Sequence, residues 1–171
     1  MRAGWRRRIG VAATAFALGG CAGAAPRIEN GVFRAPAMFR VTVPGGEWEV
    51  ATASRAALEL RHRGTHAGIL ANGECGDEPA RRDLAVLARR LFVGLRARDT
   101  LENGVAQVGG VPAAHAVLEA QVTGHDHRMR VEAYVLKDDR CVYDLVYVAP
   151  AAAFAERRPD FQRFVESFVR E

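Results

Sequence analysis

Three histidine settings, one isolated acid and a pair of cysteines hold most of the chemistry open to this chain of 171 residues. His125 and His127 stand two apart, so in an extended segment both imidazoles face one side, and the Asp126 carboxylate adds an oxygen donor nearby. A zinc or copper ion there would need a third and a fourth ligand, and His115 on the preceding strand is the nearest candidate. Strand register opposes it. A turn near Gly124 leaves His115 some eight residues down the ladder, roughly 25 Å from the turn at the rise of a β-strand. His125 and His127 therefore read as solvated side chains at a hairpin tip, and His62 and His66, which flank Arg63-Gly64-Thr65, as turn residues. No His-Glu-x-x-His helix and no Cys-x-x-Cys pair accompanies them, so neither a metal nor a cofactor is expected.

Asp144 is the most telling acid. It sits in the middle of an apolar run, where an unpaired carboxylate is costly to bury. An arginine or backbone partner, or exposure at a gap in the cover above it, would account for it; so would a cleft carboxylate, since perturbed acids gather at sites. Nucleophilic hydrolysis has little support, because Ser54 and Ser167 are the only serines and neither lies in a Gly-x-Ser-x-Gly elbow. Gly45-Gly46 and Gly109-Gly110 belong to hairpin turns rather than phosphate loops. Gly94 is attributed to close packing. Cys75 and Cys141 are expected to form a disulfide closing a loop of about 66 residues, worth roughly 4 kcal/mol by loop entropy. Free thiols, metal ligation or nucleophilic roles are the competing readings, without a Cys-x-x-Cys or Cys-His spacing to support the last two.

The elements that must position these residues follow from periodicity. Phe39, Val41 and Val43 alternate with polar residues, Pro44-Gly45-Gly46 turns the chain into Trp48 and Val50, and Leu58, Leu60, Ala67, Ile69 and Ala71 continue the period of two. This predicts an opening meander of strands. The period then becomes 3.6: Leu84, Leu87, Ala88, Leu91, Phe92 and Leu95 form one helical stripe opposite Arg82, Arg89, Arg90 and Arg96, with Pro79 in the first turn. Residues 104–108, 111–122, 128–136 and 141–148 read as four more strands. The last is apolar on both faces, Val142, Val146 and Val148 on one and Tyr143, Leu145 and Tyr147 on the other, which predicts a central strand covered twice. A closing helix carrying Phe161, Phe164, Val165 and Phe168, with Pro159 and Asp160 near its start, is the expected cover. Strands, helix, strands, helix, without βαβ alternation, indicate an α+β fold, an antiparallel sheet of about six to eight strands between helices.

Arg2, Arg6, Arg7 and Arg8 followed by the apolar stretch from Ile9 to Leu18 form a secretory leader, and Leu18-Gly19-Gly20-Cys21 closes it. That motif resembles the lipobox of bacterial lipoproteins. The resemblance implies a signal peptide over residues 1–20, cleavage after Gly20, and a diacylglyceryl group on Cys21 as the first mature residue. Residues 21–30, small and polar with a proline, then read as a lipid-anchored tether, and 31–171 as a single domain. Removing the leader changes the electrostatics. The formal charge of +4 includes its four arginines; without them 20 basic residues face 20 acidic ones, and the cationic surplus that nucleic-acid binding needs is gone.

The Phe39 to Val43 pattern with Pro44 and Trp48, the Val108-Gly109-Gly110-Val111-Pro112-Ala113 hairpin, the Cys141 to Val148 strand and the closing aromatic helix ending in Ser167-Phe168 together resemble the PsbP and DcrB type of α/β/α sandwich. Members include photosystem subunits, envelope lipoproteins and a Ran-binding import factor, mostly accessory or assembly proteins that share no catalytic residues. The resemblance implies a non-enzymatic accessory or binding module of a cell-envelope complex, facing the periplasm, attached to the membrane through Cys21 and working with an envelope protein partner. Ala22 after the cysteine, rather than aspartate, favours the outer membrane by the sorting rules of such lipoproteins. A carrier of an apolar or lipid-like ligand, held between sheet and helix, is the alternative, and a metal-dependent enzyme or sensor the third reading.

Overall fold

The computed structural model describes residues 28–77, 81–121 and 127–171. The segment with Leu18, Gly19, Gly20 and Cys21 lies outside these, as do Pro79, His125 and Asp126. Among the described residues these elements follow in order: β1 (Ile28–Glu29), β2 (Val32–Ala35), β3 (Phe39–Thr42), β4 (Trp48–Val50), β5 (Leu58–His62), β6 (Gly68–Cys75), α1 (Leu84–Leu91), β7 (Arg96–Val108), β8 (Val111–Gln121), β9 (Arg128–Lys137), β10 (Cys141–Pro150), α2 (Phe154–Glu166) and β11 (Val169–Arg170). The fold is α+β. Its main sheet has seven antiparallel strands in the order β4-β5-β6-β10-β9-β8-β7.

The doubly apolar strand is β10, and it occupies the centre of that order as its pattern requires. Tyr143, Leu145 and Tyr147 are almost fully buried beneath α2, whose Phe161 stacks on Tyr147 at 5.6 Å and on Phe164 at 6.4 Å. Three polar ties fix the helix. The Tyr147 hydroxyl donates to the Phe154 carbonyl at 2.9 Å, the Trp48 indole N–H donates to Asp160 at 3.0 Å, and the Ser167 hydroxyl donates to the Phe164 carbonyl while accepting the Thr42 N–H. Because α2 begins at Phe154, Pro159 lies inside it rather than near its start. On the other face of the sheet α1 packs on β8 and β9 through Leu91 and Phe92.

Five sequence expectations are corrected here. Phe39–Thr42 does not open the main sheet: it pairs with β2 and β11 in a separate four-stranded sheet, order β1-β2-β3-β11. That sheet lies beside α2, where Phe39 meets Tyr143 and Phe168 at ring distances of 6.0 and 5.7 Å. Pairing begins at Ile28, inside the segment expected to be tether. The helix stripe stops at Leu91 rather than Leu95, and β7 starts at Arg96 rather than Gly104, because its polar first half pairs through backbone groups and two register shifts that leave no alternation in the sequence. Gly94 has nothing within 4 Å of a built Cβ, so packing does not explain it; its φ of +96° does.

Gly109 is different. In the β7–β8 turn its φ is +56°, and a Cβ there would sit 2.9 Å from the Phe168 ring and 3.0 Å from the Phe168 carbonyl oxygen. Phe168 is locked in the core, so neither can give way. Gly109→Ala is expected to lower stability by more than about 1 kcal/mol in urea unfolding, whereas the same change at Gly104, with open space around it, costs less.

Candidate functional site

The register of the sheet decides which polar residues meet. His115 on β8 lies opposite Tyr134 on β9, six residues from Gln121 where the strand ends. It is thereby far from His127, which precedes Arg128, the partner of Gln121, and it belongs to a different cluster. Its Nε2 lies 2.9 Å from Oε1 of Glu132, a carboxylate with no exposed surface at all, and its ring stacks on Tyr134 at 4.4 Å. Arg158, one turn into α2, closes the cluster from above: Nε donates to Glu132 at 2.8 Å and Nη2 to Glu102 of β7 at 3.1 Å.

Burial alone would raise the Glu132 carboxyl, but the bonds from His115 and Arg158 outweigh it and hold the group below the ordinary carboxylate range. Burial and the Glu132 charge push the Tyr134 phenol up to about 12, so it stays protonated and donates. The bond to Glu132 likewise raises Arg158. Every charge in the cluster is matched, and both oxygens of Glu132 are occupied. Such a set holds a helix on a sheet; it offers no free base or nucleophile.

Asp144 sits on the opposite face, across from Asn72 on β6 and Val135 on β9. No hydrogen bond or ion pair links it to a described residue, so the arginine or backbone partner expected for it is not among them. Burial, reinforced by the nearby Glu74 charge, raises its carboxyl to about 6. It stands in the half-covered part of the face beyond α1, beside half-buried Val146 and Val148.

The other expected positions resolve individually. His62 is not a turn residue: it ends β5, is 4% exposed, packs edge-on against Trp48, and its Nδ1 accepts the Thr65 N–H at 3.2 Å. His66 is exposed in the turn, with φ of 56°. His127 is exposed at the start of β9. Ser54 accepts the Ala56 N–H in a local turn, and Ser167 caps α2 as described, so both are structural. Cys75 and Cys141 are disulfide-bonded, a cross-strand pair in the β6–β10 ladder. Among the described residues no three His, Cys, Asp or Glu side chains are grouped to hold a metal ion.

What remains open is a groove. Beneath α2 the core is filled by Phe154, Phe161, Phe164, Tyr143 and Tyr147, and the space beside that helix is a recess of about 520 Å³ at its edge, between Gln162 and Val165 and the end of β7. A groove of about 840 Å³ lies instead on the other face, where Leu84, Ala88 and Phe92 of α1 stand over Val105, Ala116 and Leu118 of β7 and β8. Arg89 and Arg98 line it as well; Arg98 is turned toward α1 by a bond to the Phe92 carbonyl at 3.2 Å. Asp83 caps α1 through the Ala85 N–H at 2.8 Å and fixes the start of the wall.

No family model and no curated protein matches this chain. Solved structures do. LpqN of Mycobacterium tuberculosis, described as involved in cell envelope biogenesis, superposes with a TM-score of 0.60 at 15% identity over 80% of this chain and 86% of LpqN. The fold is PsbP-like. Cyanobacterial PsbP from Synechocystis superposes with a TM-score of 0.57 at 9% identity, over 90% of this chain and 99% of its own. A Bacteroides thetaiotaomicron protein reaches 0.61 at 8% identity, and this chain spans about half of it, 49%. No helix among the described residues is long and apolar enough to cross a membrane.

Two measurements test these assignments. Folded Asp144 holds its proton more tightly than the unfolded chain does, so its contribution is full below about pH 4 and is lost as the pH rises through about 6. Asp144→Asn is therefore expected to stabilise the protein by about 2 to 3 kcal/mol at pH 7 and to flatten the stability profile between pH 4 and 6. Arg158→Ala, which strands a buried carboxylate, is expected to cost about 3 kcal/mol in urea unfolding, with part recovered by adding Glu132→Gln.

Proposed function

We propose that this protein is an exported, lipid-anchored and non-enzymatic binding module of the bacterial cell envelope, and that the groove between α1 and the β7–β8 hairpin is where it binds. The observation that carries the reading is the contrast between its two polar or open places. The buried Glu132 cluster is fully self-paired, whereas the groove presents open apolar walls edged by Arg89, Arg98, Asp83 and His115. Binding pockets commonly combine such walls with a few directing polar groups. The lipobox-like Leu18-Gly19-Gly20-Cys21 and the oxidised Cys75–Cys141 pair support an oxidising compartment outside the cytoplasm, with the membrane reached through the lipid on Cys21. LpqN, similar in fold, is itself named for cell envelope biogenesis.

The groove also favours the carrier as a specific form of this function. Its volume of about 840 Å³ falls within the range of small-molecule sites. An apolar ligand with an anionic end would suit walls of Leu84, Phe92 and Leu118 and the guanidinium groups of Arg89 and Arg98.

A sulfonated naphthalene dye carries both features and serves as the probe. Its fluorescence is expected to rise on binding the protein, and Ala88→Trp, which fills the groove from α1, is expected to weaken binding at least tenfold with unchanged circular dichroism. Equal binding by the variant would move the site elsewhere. Mass spectrometry of protein extracted from membranes checks the anchor: Cys21 should carry the diacylglyceryl mass, and an unmodified Cys21 would remove it.

A further inference from the structure

The turn that leaves α1 is cationic and apolar at once. The ten residues from Arg89 to Arg98 hold four arginines, Arg89, Arg90, Arg96 and Arg98, and no acid. All four are exposed, and no carboxylate of a described residue pairs with any of them. Elsewhere on the surface Arg61, Arg63, Arg81 and Arg163 each meet one. Offsetting the negative end of a helix accounts for Arg89 and Arg90 in its last turn. Arg96 and Arg98 belong to β7, beyond the reach of that dipole, and the next acid, Asp99, is turned to Arg128.

At the middle of this stretch stands Val93, 79% exposed, the most exposed large apolar side chain among the described residues. The turn holds it there. Phe92 beside it is buried in the cluster of Leu118 and Val131, the Val93 N–H donates to the Arg90 carbonyl at 3.1 Å and the Leu95 N–H to the Phe92 carbonyl at 3.3 Å. Gly94 supplies the φ of +96° that the reversal needs. Val86 and Arg90, one helical turn apart and both exposed, extend the same mixture along α1.

We infer that this turn docks on a bilayer of anionic phospholipid, with Val93 in the headgroup boundary and the four arginines on the lipid phosphates. Charge complementarity selects an anionic partner, since the arginines have no acid of their own to satisfy. The valine selects among anions. A polyanion without apolar matter would leave Val93 in water, whereas a bilayer takes the apolar side chain and presents phosphates at the same depth. Arginine suits that boundary because its stem lies along apolar surface while its planar head binds phosphate with two parallel bonds. Arg89 and Arg98 also line the groove, so docking turns the groove's mouth toward the lipid. The inference rests neither on the lipid at Cys21 nor on what the groove holds.

A polarity-sensitive fluorophore at the turn tests it. The full chain with Val93→Cys, labelled without reductant and reconstituted from detergent, is compared in vesicles of phosphatidylcholine alone and of phosphatidylcholine with phosphatidylglycerol in equal parts. The unsubstituted chain, labelled alike, gives the background. Emission from position 93 is expected to shift to the blue and rise at least twofold in the anionic vesicles only. Every sample carries the same residue 21, so an anchor there cannot produce that difference. Thr52→Cys, exposed near the opposite edge of the sheet, should not respond. Adding Arg90→Glu and Arg96→Glu, both exposed and outside the groove lining, is expected to abolish the rise with unchanged circular dichroism. No rise at position 93 in anionic vesicles overturns the inference, and would leave the turn to an acidic protein surface. An equal rise in phosphatidylcholine alone, an equal rise at position 52, or a rise that survives the charge reversal overturns it too.

Discussion

A seven-stranded sheet with an apolar stripe on both faces has to be covered twice, and among the described residues two helices of eight residues or more do it. Seven strands at nearly 5 Å spacing span about 34 Å, whereas one helix is about 10 Å across. On the face of Tyr143, Leu145 and Tyr147 the shortfall is made up by the small sheet, whose Phe33, Phe39 and Val41 join the aromatic residues of α2 in one core. On the other face, among the described residues, the cover is α1, an eight-residue helix. The groove, the half-buried state of Val146 and Val148, and the solvent reaching Asp144 all follow from that incomplete cover.

Asymmetric cover also explains why the two polar centres behave in opposite ways. Glu132 lies under the complete layer, where a lone charge would be intolerable, and it is met by His115 from the neighbouring strand and Arg158 from the helix above. The cluster orients α2 over the sheet as much as it neutralises a charge, since Arg158 also reaches Glu102 near the sheet edge. Asp144 lies under the incomplete layer and has been given no cation. It shifts its pKa instead. One carboxylate is stabilised by its partners, the other tolerated because water is near.

The organisation of strands was largely legible, because burial on one or both faces leaves a period in the sequence. The central place of Cys141–Pro150, the hairpin turn at Gly109-Gly110 and the helical stripe from Leu84 all appear in the structure. Where pairing uses backbone alone, as in the first half of β7, no period exists and the strand was read eight residues short. The separation of Phe39–Thr42 into a second sheet was equally invisible, since an alternating strand looks the same whichever sheet it joins. Of the site residues, His115 was correctly kept apart from His127 by register, yet Glu132 was missed. Its one signal was an acid between Val131 and Ala133 on the face shared with Leu136. His62 misled because proximity to Gly64 suggested a turn, while the Trp48 ring that buries it is fourteen residues away.

By itself the sequence determined the properties that depend on neighbours along the chain: an antiparallel α+β order, a central strand covered twice, and a content of three cysteines. These need only periodicity and composition, which are local. The tertiary structure alone decided which charges meet, that Cys75 and Cys141 lie opposite one another in adjacent strands, and that a groove of about 840 Å³ lies under α1. Each of those depends on the register of strands distant in sequence and on how much sheet a helix of given length can shield, and neither is written in any single segment.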